Sequence, residues 1–528
     1  MNSPVASLTP HYLRSRIGKI CVAIIGSSPP ELIEKAEAVY RENTFLEFRV
    51  DYLAKPLAAF PKLKEFLVEH PEVTAIATCR REANGGKFAG SAAAELEVLQ
   101  KAASSGFHLV DLELQTAEEV KPQDLDKLRA RGAGLVLSYH DFMTTKDLDG
   151  IFERIRPFEP EFVKIVSTAR SLADNLAMIR FLERARDKAN VVGICMGDQG
   201  VISRILGPRA GSAFTFASAT AGEETAPGQI SARTLLDLYR LDQLDAATKI
   251  YGVCGNPVAH SLSPAMLNAA FRRERVNSVY LPLQTGNLND LLTLIREVPV
   301  SGLSVTMPFK QEILKHLQKT DPLSEKVGAC NTLVRSQDGK LYGFNTDVAA
   351  VVRPLEKRLA LRGAKVLVVG AGGAARAAVF GLKEKGAEVF VVNRTVATAQ
   401  KLAREAKAKT AKREQLAKSS FDVIINATPV GMRTERERKA GAQTVLEPNE
   451  INARLVFDLV YNPIDTPLIR AAREKGIPVV TGVEMFVHQG ARQFEIWTGK
   501  PAPEEEMLRV VVHALRQKAE SAAANGAR

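Results

Sequence analysis

The stretch KVLVVGAGGAARAAVFGLKEKGAEVFVVNRT, residues 365–395, decides the architecture of the second half of the chain. An apolar strand pattern (KVLVV) runs into a glycine-rich turn, then a helical pattern, then a second strand pattern (EVFVV). Glycine turns alone are common, but strand before and helix after make a dinucleotide fingerprint. The glycines allow the tight turn, and the helix N-terminus offers N–H groups to a pyrophosphate. Gly370, Ala371, Gly372, Gly373 and Ala374 are the candidate cofactor contacts. An NAD-selective site places Asp or Glu about 20 residues on, against the ribose hydroxyls. Here the next strand ends in Asn393, Arg394 and Thr395, and a guanidinium suits a 2′-phosphate, so the expected cofactor is NADP.

The same strand–helix alternation extends outward. Downstream lie FDVIINATP, LVFDLVYNP and IPVVTG; upstream lie KIYGVCG, SVYLPL and SGLSVTM. A final amphipathic pattern runs from about Glu484 to Gln517, with Pro501 and Pro503 placed to break it. Residues 516–528, ending in SAAANGAR, read as a frayed tail.

The first 240 residues keep a beat. Short β-branched runs begin near Lys19, Phe45, Val73, Phe107, Gly134, Phe162, Asn190 and Ala213, spaced 23 to 34 residues apart, with amphipathic helix patterns between them. Parallel βαβ units follow, and eight of them predict a closed (β/α)8 barrel over 17–243, after a flexible N-terminus at 1–16. An open doubly wound sheet is the alternative; eight units with no surplus favour closure. The whole chain is thus α/β: a barrel, then a two-lobed unit whose second lobe is a Rossmann domain.

Composition narrows the function classes. With 528 residues, 45% hydrophobic and 25% charged, the chain is globular rather than disordered. No apolar run reaches the roughly 20 residues needed to span a bilayer, and no apolar h-region marks a secretory signal, so no membrane role is expected. The five cysteines are scattered without a C-x-x-C pair, which argues against a metal site and suits a reducing, cytoplasmic compartment. The net charge of +11 arises from Lys and Arg interleaved with acids, as in REAKAKTAKREQLAK (404–418), with no nucleic-acid motif. Small anionic substrates are the expected partners; neither nucleic acid nor an obligatory protein partner is.

In such a barrel the site lies at the C-terminal strand ends. Those ends carry Glu47, Arg49, Arg80, His140, Lys164 and Arg204, a set fit to bind an anion. In FVKIVS, Lys164 shares a face with Phe162 and Val166, pointing inward, where desolvation and guanidinium neighbours favour a nucleophilic free amine. His140 on the preceding strand end is placed to shuttle a proton. In the second half, NPVAHSLSP (from Asn256), VTMPFK (305–310), GACNT (328–332) and GFNTD (343–347) supply hydroxyls, amides and a Lys310–Asp347 pair. Read plainly, Ser and Asn beside Pro are turn formers and caps, and Asp347 could be an N-cap.

Taken together, EFRVD (47–51), TCR (78–80) with Gly85 and Gly86, SYHD (138–141), the Lys164 strand, Ser203–Arg204 and APGQ (226–229) resemble type I 3-dehydroquinate dehydratase over 17–243. The resemblance implies a Schiff base on Lys164 with the 3-keto group of 3-dehydroquinate, and proton transfer from C2 by His140. It gives Arg204 the substrate carboxylate and Glu47, Arg49, Arg80, Thr225 and Gln229 the rest of the ring. Two positions depart: Asn84 stands where Glu often supports the histidine, leaving Glu82 as a substitute, and Thr225 replaces Ser.

The second half, over 248–515, resembles shikimate dehydrogenase, with NATP (from Asn426), DLVY (458–461) and Gln489–Gly490 added to the motifs above. That implies a substrate-binding lobe at 248–350, a Rossmann NADP lobe at 351–483, and helices at 484–515 packing back on the substrate lobe. Ser261, Ser263 and Tyr461 would bind the carboxylate; Thr306, Asn331, Asp347 and Gln489 the ring hydroxyls. Lys310 and Asp347 would move the proton, and Thr428 and Gly482 would join the cofactor contacts. Ser304 stands where Asn often begins the V-T-x-P stretch. The implied substrates are 3-dehydroquinate, 3-dehydroshikimate and shikimate, and the two activities are consecutive. A sensor that had lost catalysis should have lost some of Lys164, His140, Lys310 or Asp347, and all four are present. Lys164→Ala is expected to abolish dehydration of 3-dehydroquinate while leaving shikimate oxidation near the parent rate, measured on the same purified variant.

Overall fold

The computed structural model describes residues 16–258, 261–432 and 443–526. The N-terminal segment expected to be flexible lies, apart from Arg16, outside the described residues. Two compact units result: the described residues up to Thr248 with Asn289–Val298, and Lys249–Leu288 with the described residues from Pro299 onward. A single cut at 243–248 therefore misses that 289–298, helical in the main, groups with the first unit.

The first unit is a ring of eight parallel strands: β1 (Ile20–Ile24), β2 (Phe45–Arg49), β3 (Thr74–Thr78), β4 (Leu109–Glu113), β5 (Gly134–His140), β6 (Phe162–Thr168), β7 (Val191–Met196) and β8 (Thr215–Ser218). Each pairs with the next through β7, and β8 pairs with β1. The β7–β8 seam is bridged by the Ala213 N–H donating to the Val191 carbonyl at 2.7 Å. Because strand side chains alternate, one parity fills the interior. Early in the strands that parity is apolar: Cys21, Phe45, Leu109, Val136, Phe162 and Phe214 form one plug, with Phe45 and Phe162 set edge-on against Phe214 at 4.9 and 5.4 Å. Two residues further along, the same parity carries Glu47, Asp111, Ser138 and Lys164. The plug thus forms an apolar floor below the chemistry.

The second unit holds two six-stranded sheets. In the first, β9 (Lys249–Gly255), β10 (Ser278–Gln284), β11 (Val300–Val305), β12 (Lys319–Thr320), β13 (Thr332–Arg335) and β14 (Leu341–Phe344) lie in the order β10-β9-β11-β13-β14-β12. In the second, β15 (Lys365–Val369), β16 (Glu388–Val392), β17 (Lys409–Thr410), β18 (Phe421–Asn426), β19 (Ala453–Asp458) and β20 (Val479–Val480) are parallel in the order β17-β16-β15-β18-β19-β20. This is the doubly wound order 3-2-1-4-5-6, with its switch point at β15, the strand before the glycine turn.

A lobe boundary at 350/351 falls inside the helix Asp347–Glu356 and is corrected. That helix stays continuous because Val348, Val351, Val352 and Leu355 bury against the nucleotide-lobe core while Asp347 serves the other lobe. The C-terminal pattern does break near its prolines, into helices Gly482–Thr498 and Glu504–Gly526. They bury Phe494 and Trp497 against Phe271 and Tyr251, and the Trp497 indole N–H donates to the Leu333 carbonyl at 2.9 Å. The last helix runs well past 516: alanine is the best helix former and no breaker intervenes before Gly526. All five cysteines are buried and free. Among the described residues no helix is long and apolar enough to cross a membrane.

Candidate active sites

At the barrel mouth Lys164 is buried, its Nζ 2.7 Å from Asp111 Oδ2, 3.8 Å from Glu47 Oε1 and 3.9 Å above the Phe216 ring. Asp111 also accepts from Arg80 Nη2 at 2.8 Å and Ser138 Oγ at 2.6 Å. Burial alone would raise the Asp111 carboxyl, but Lys164 and Arg80 hold it well below the usual range. Thr78 Oγ1 donates to Glu47 at 2.7 Å, and Arg49 forks onto Asp51 at 2.9 and 2.7 Å.

His140 closes this cluster. Its Nδ1 lies 3.0 Å from Glu113 Oε2 and 2.9 Å from Arg80 Nη1, and Arg80 also pairs with Glu113. Burial, then Arg80, pulls the imidazole down to about 4 against the opposing pull of Glu113. The partner sought near position 84 is therefore Glu113, two residues after Asp111 on β4. Glu82 is exposed and does not take that role; Asn84 is buried with its Oδ1 unpartnered. The inward pair Asp-x-Glu in LVDLE was the signal that sequence reading passed over.

Arg204 is corrected from a strand end to the second turn of helix Val201–Ala210. It is 2% exposed, and its Nη atoms donate to the carbonyls of Phe216 (3.4 Å) and Pro227 (3.5 Å). Its Nε has no partner, and among the described residues no carboxylate pairs with it. Burial pulls this guanidinium down to about 10. A buried cation without a counter-ion is costly, and an incoming carboxylate relieves that cost. Phe216 links the two groups, its ring under Lys164 and its carbonyl on Arg204. Gln229 Oε1 accepts from the Thr225 N–H (2.6 Å) and hydroxyl (3.1 Å), shaping the same loop.

In the second unit Lys310 Nζ stands 2.5 Å from Asp347 Oδ2, and Asn331 Nδ2 donates to the other carboxylate oxygen at 2.8 Å. Asn331 is itself held: the Thr346 N–H donates to its Oδ1 at 2.8 Å, and Gln493 Nε2 donates to its carbonyl at 3.1 Å. Ser304 bridges the Tyr280 hydroxyl and Gln493 Oε1, both at 2.6 Å, so the serine extends a buried chain reaching Asn331. Val305 N–H to the Asn331 carbonyl (2.8 Å) sets Thr306 beside it. Ser261 Oγ donates to Ser263 Oγ at 3.1 Å, and the Tyr461 phenol faces Ser261. Gln489 meets the group through its carbonyl, which accepts from Thr346 Oγ1 at 3.1 Å, while its side chain turns to Phe486.

The glycine turn fits a dinucleotide. Gly370 has φ +119°, and a Cβ there would stand 2.9 Å from the Ala427 carbonyl oxygen. Gly372 opens on free space ahead of helix Gly373–Glu384, where an anion meets the helix N-terminus. Arg394 is exposed at the end of β16, and Asn393 Nδ2 donates to the Thr395 carbonyl at 3.1 Å. Thr428 caps the β18 turn through Asn426 Oδ1 at 2.7 Å, and Gly482 leaves room for the Leu459–Val460 backbone.

The chain is similar to known proteins along nearly its whole length. Residues 20–246 match the type I 3-dehydroquinase model. Residues 253–333 match the shikimate dehydrogenase substrate-binding domain, 354–467 the shikimate/quinate 5-dehydrogenase model and 482–512 the shikimate 5'-dehydrogenase C-terminal domain. A shikimate dehydrogenase (NADP(+)) from Methanosarcina acetivorans is 39% identical over 51% of this chain and 99% of its own. A solved shikimate 5-dehydrogenase from Thermus thermophilus, in complex with NADP(H) and shikimate, shares 35% identity at a TM-score of 0.47, over 51% of this chain and 100% of its own. The chloroplastic bifunctional 3-dehydroquinate dehydratase/shikimate dehydrogenase of Arabidopsis thaliana is 34% identical over 526 residues, 96% of this chain and 86% of that one. With a lysine–histidine barrel followed by a lysine–aspartate site beside a nucleotide turn, the chain belongs to the bifunctional 3-dehydroquinate dehydratase/shikimate dehydrogenase family.

Proposed function

We propose that the barrel dehydrates 3-dehydroquinate through an imine on Lys164, and that the second unit reduces the resulting 3-dehydroshikimate to shikimate with NADPH. The observation that carries the first half is the buried Lys164–Asp111 pair set beside a neutral histidine. Arg204 takes the substrate carboxylate, and Glu47, Arg49, Arg80, Thr225 and Gln229 hold the ring. The Lys164 amine, once deprotonated, adds to the C3 carbonyl and water leaves as the imine forms. His140 then takes a proton from C2, the electron pair moves onto the imine nitrogen, and the C1 hydroxyl departs as water with a proton returned by His140. Hydrolysis of the imine frees 3-dehydroshikimate and the lysine. Glu113, accepting from His140 Nδ1–H, selects the tautomer that leaves Nε2 free as the base.

In the second unit Ser261, Ser263 and Tyr461 take the carboxylate, and Thr306, Asn331, Asp347 and Gln489 the hydroxyls. Lys310 supplies the proton to the carbonyl oxygen, and Asp347 and Asn331 hold the lysine in place. Gly370–Ala374, Asn393, Arg394, Thr395, Thr428 and Gly482 are the residues that would hold NADP(H), with Arg394 on the 2′-phosphate. When bound, NADPH supplies the hydride for the C3 ketone. A cytoplasmic setting belongs to this proposal, supported by five buried free thiols. So does the absence of nucleic-acid and obligatory protein partners, supported by basic residues interleaved with acids and by the lack of a nucleic-acid motif in the sequence.

Borohydride reduction in the presence of 3-dehydroshikimate tests the imine. The expected result is a covalent mass gain confined to the Lys164 peptide, with loss of dehydratase activity; an unmodified Lys164 peptide contradicts the mechanism. The second test is the histidine. Its neutral form persists above a pH of about 4, so the ring carbons of labelled His140 are expected to titrate there rather than near the ordinary value of about 6.5. Glu113→Gln removes a charge that favours the imidazolium and is expected to move that midpoint lower still; a midpoint near 6.5 in the parent chain contradicts the account.

A further inference from the structure

A G-x-G-x-x-G/A fingerprint asks for small residues at Gly370, Gly372 and Ala375 and leaves positions 373 and 376 free. Both are used here for something else. A Cβ on Gly373 would lie 3.0 Å from Lys310 Cδ and 3.3 Å from Lys310 Cβ, so the lysine stem lies in the space that a side chain would fill. Arg376, one turn on, donates through Nε to the Val327 carbonyl at 2.6 Å, and its Nη1 pairs with Glu405 at 2.6 Å. A Cβ on Gly328 would stand 2.9 Å from Arg376 Nη2, so this guanidinium lies directly on the 328–332 loop. That loop feeds the proton-transfer pair twice: the Cys330 N–H donates to the Lys310 carbonyl at 2.7 Å, and Asn331 Nδ2 donates to Asp347. Further along, a Cβ on Gly381 would stand 2.7 Å from Val348 Cγ1, one residue after Asp347. One helix, Gly373–Glu384, therefore registers the three segments that carry Lys310, Asn331 and Asp347.

We propose that Gly373 and Arg376 are positioning residues for the Lys310–Asp347 pair, so that the helix which receives the cofactor pyrophosphate also sets the proton donor. This rests on the reading of that pair as the proton-transfer site. Displacing the lysine stem or releasing the Val327 carbonyl moves the donor without removing any group that touches substrate. A shift of about 1 Å in such a donor costs on the order of 100-fold in rate. Arg376→Lys keeps one donor to the Val327 carbonyl and loses the Nη1 contact with Glu405.

The test is steady-state shikimate oxidation with NADP+ by the full chain and by Arg376→Ala, Arg376→Lys and Gly373→Ala. The expected result is a kcat, at saturating NADP+, roughly 10- to 100-fold lower for Arg376→Ala and Gly373→Ala, a KM for shikimate close to the parent's in both, a KM for NADP+ close to the parent's in Arg376→Ala, and recovery of most of the loss in Arg376→Lys. Dehydration of 3-dehydroquinate by the same preparations reports that the barrel is folded, and a parent-like circular dichroism spectrum and melting curve report the same for the second unit. An unchanged kcat in either variant, or a KM for NADP+ that rises as kcat falls in Arg376→Ala, overturns the proposal. If Arg376→Ala does not fold, the kcat of Gly373→Ala at saturating NADP+ decides, since that variant adds one methyl group against the Lys310 stem. A parent chain that does not oxidise shikimate would instead sink the functional reading on which the proposal rests.

Discussion

The barrel site depends on two carboxylates, Asp111 and Glu113, presented two residues apart by one strand. Lys164 and Arg80 are buried cations, and burying a charge is costly unless it is paired. Asp111 holds Lys164 and Arg80; Glu113 holds Arg80 and His140. Removing Asp111 would leave Lys164 facing Glu47 at 3.8 Å, and taking away one partner of a buried ion pair typically costs about 3–5 kcal/mol. In the proposed mechanism Asp111 parks the nucleophile and Glu113 favours the histidine tautomer with a free Nε2. Arg204, with no carboxylate on it among the described residues, is the buried cation proposed to take the substrate carboxylate.

The second unit solves a similar problem with neutral groups. Its Lys310–Asp347 pair is steadied by Asn331, and Asn331 by Thr346 and by the Tyr280–Ser304–Gln493 chain. Amides and hydroxyls fix geometry without adding charge, so a proton can move at Lys310 without rearranging the network around it. The nucleotide turn lies one side chain away, since Gly373 makes room for the lysine.

Much of this was legible in the sequence because its periods are simple. Eight strand patterns at near-constant spacing mark the barrel, and alternation alone places Lys164 inward. The glycine turn needs only its flanking strand and helix. Asp111 and Glu113 were missed because LVDLE reads as an ordinary strand with two acids; their meaning appears only once the neighbouring strands bring Arg80, Lys164 and His140 beside them. Arg204 was placed at a strand end because a short run from β7 to the next helix hides where the strand stops. Asn84 drew attention as a departure, yet the histidine partner comes from another strand, a non-local fact. The 350/351 boundary failed for a similar reason: one continuous helix carries Asp347 for one lobe and apolar packing for the other.

The central claim is that one chain carries out two consecutive steps, the product of the barrel being the substrate of the second unit. It is tested most directly by giving the purified chain 3-dehydroquinate and NADPH, with no other enzyme, and following cofactor oxidation and product. The account predicts NADPH consumption matched by shikimate formation, abolished by Lys164→Ala and restored to that variant by adding 3-dehydroshikimate. No NADPH consumption by the parent chain from either 3-dehydroquinate or 3-dehydroshikimate would contradict it.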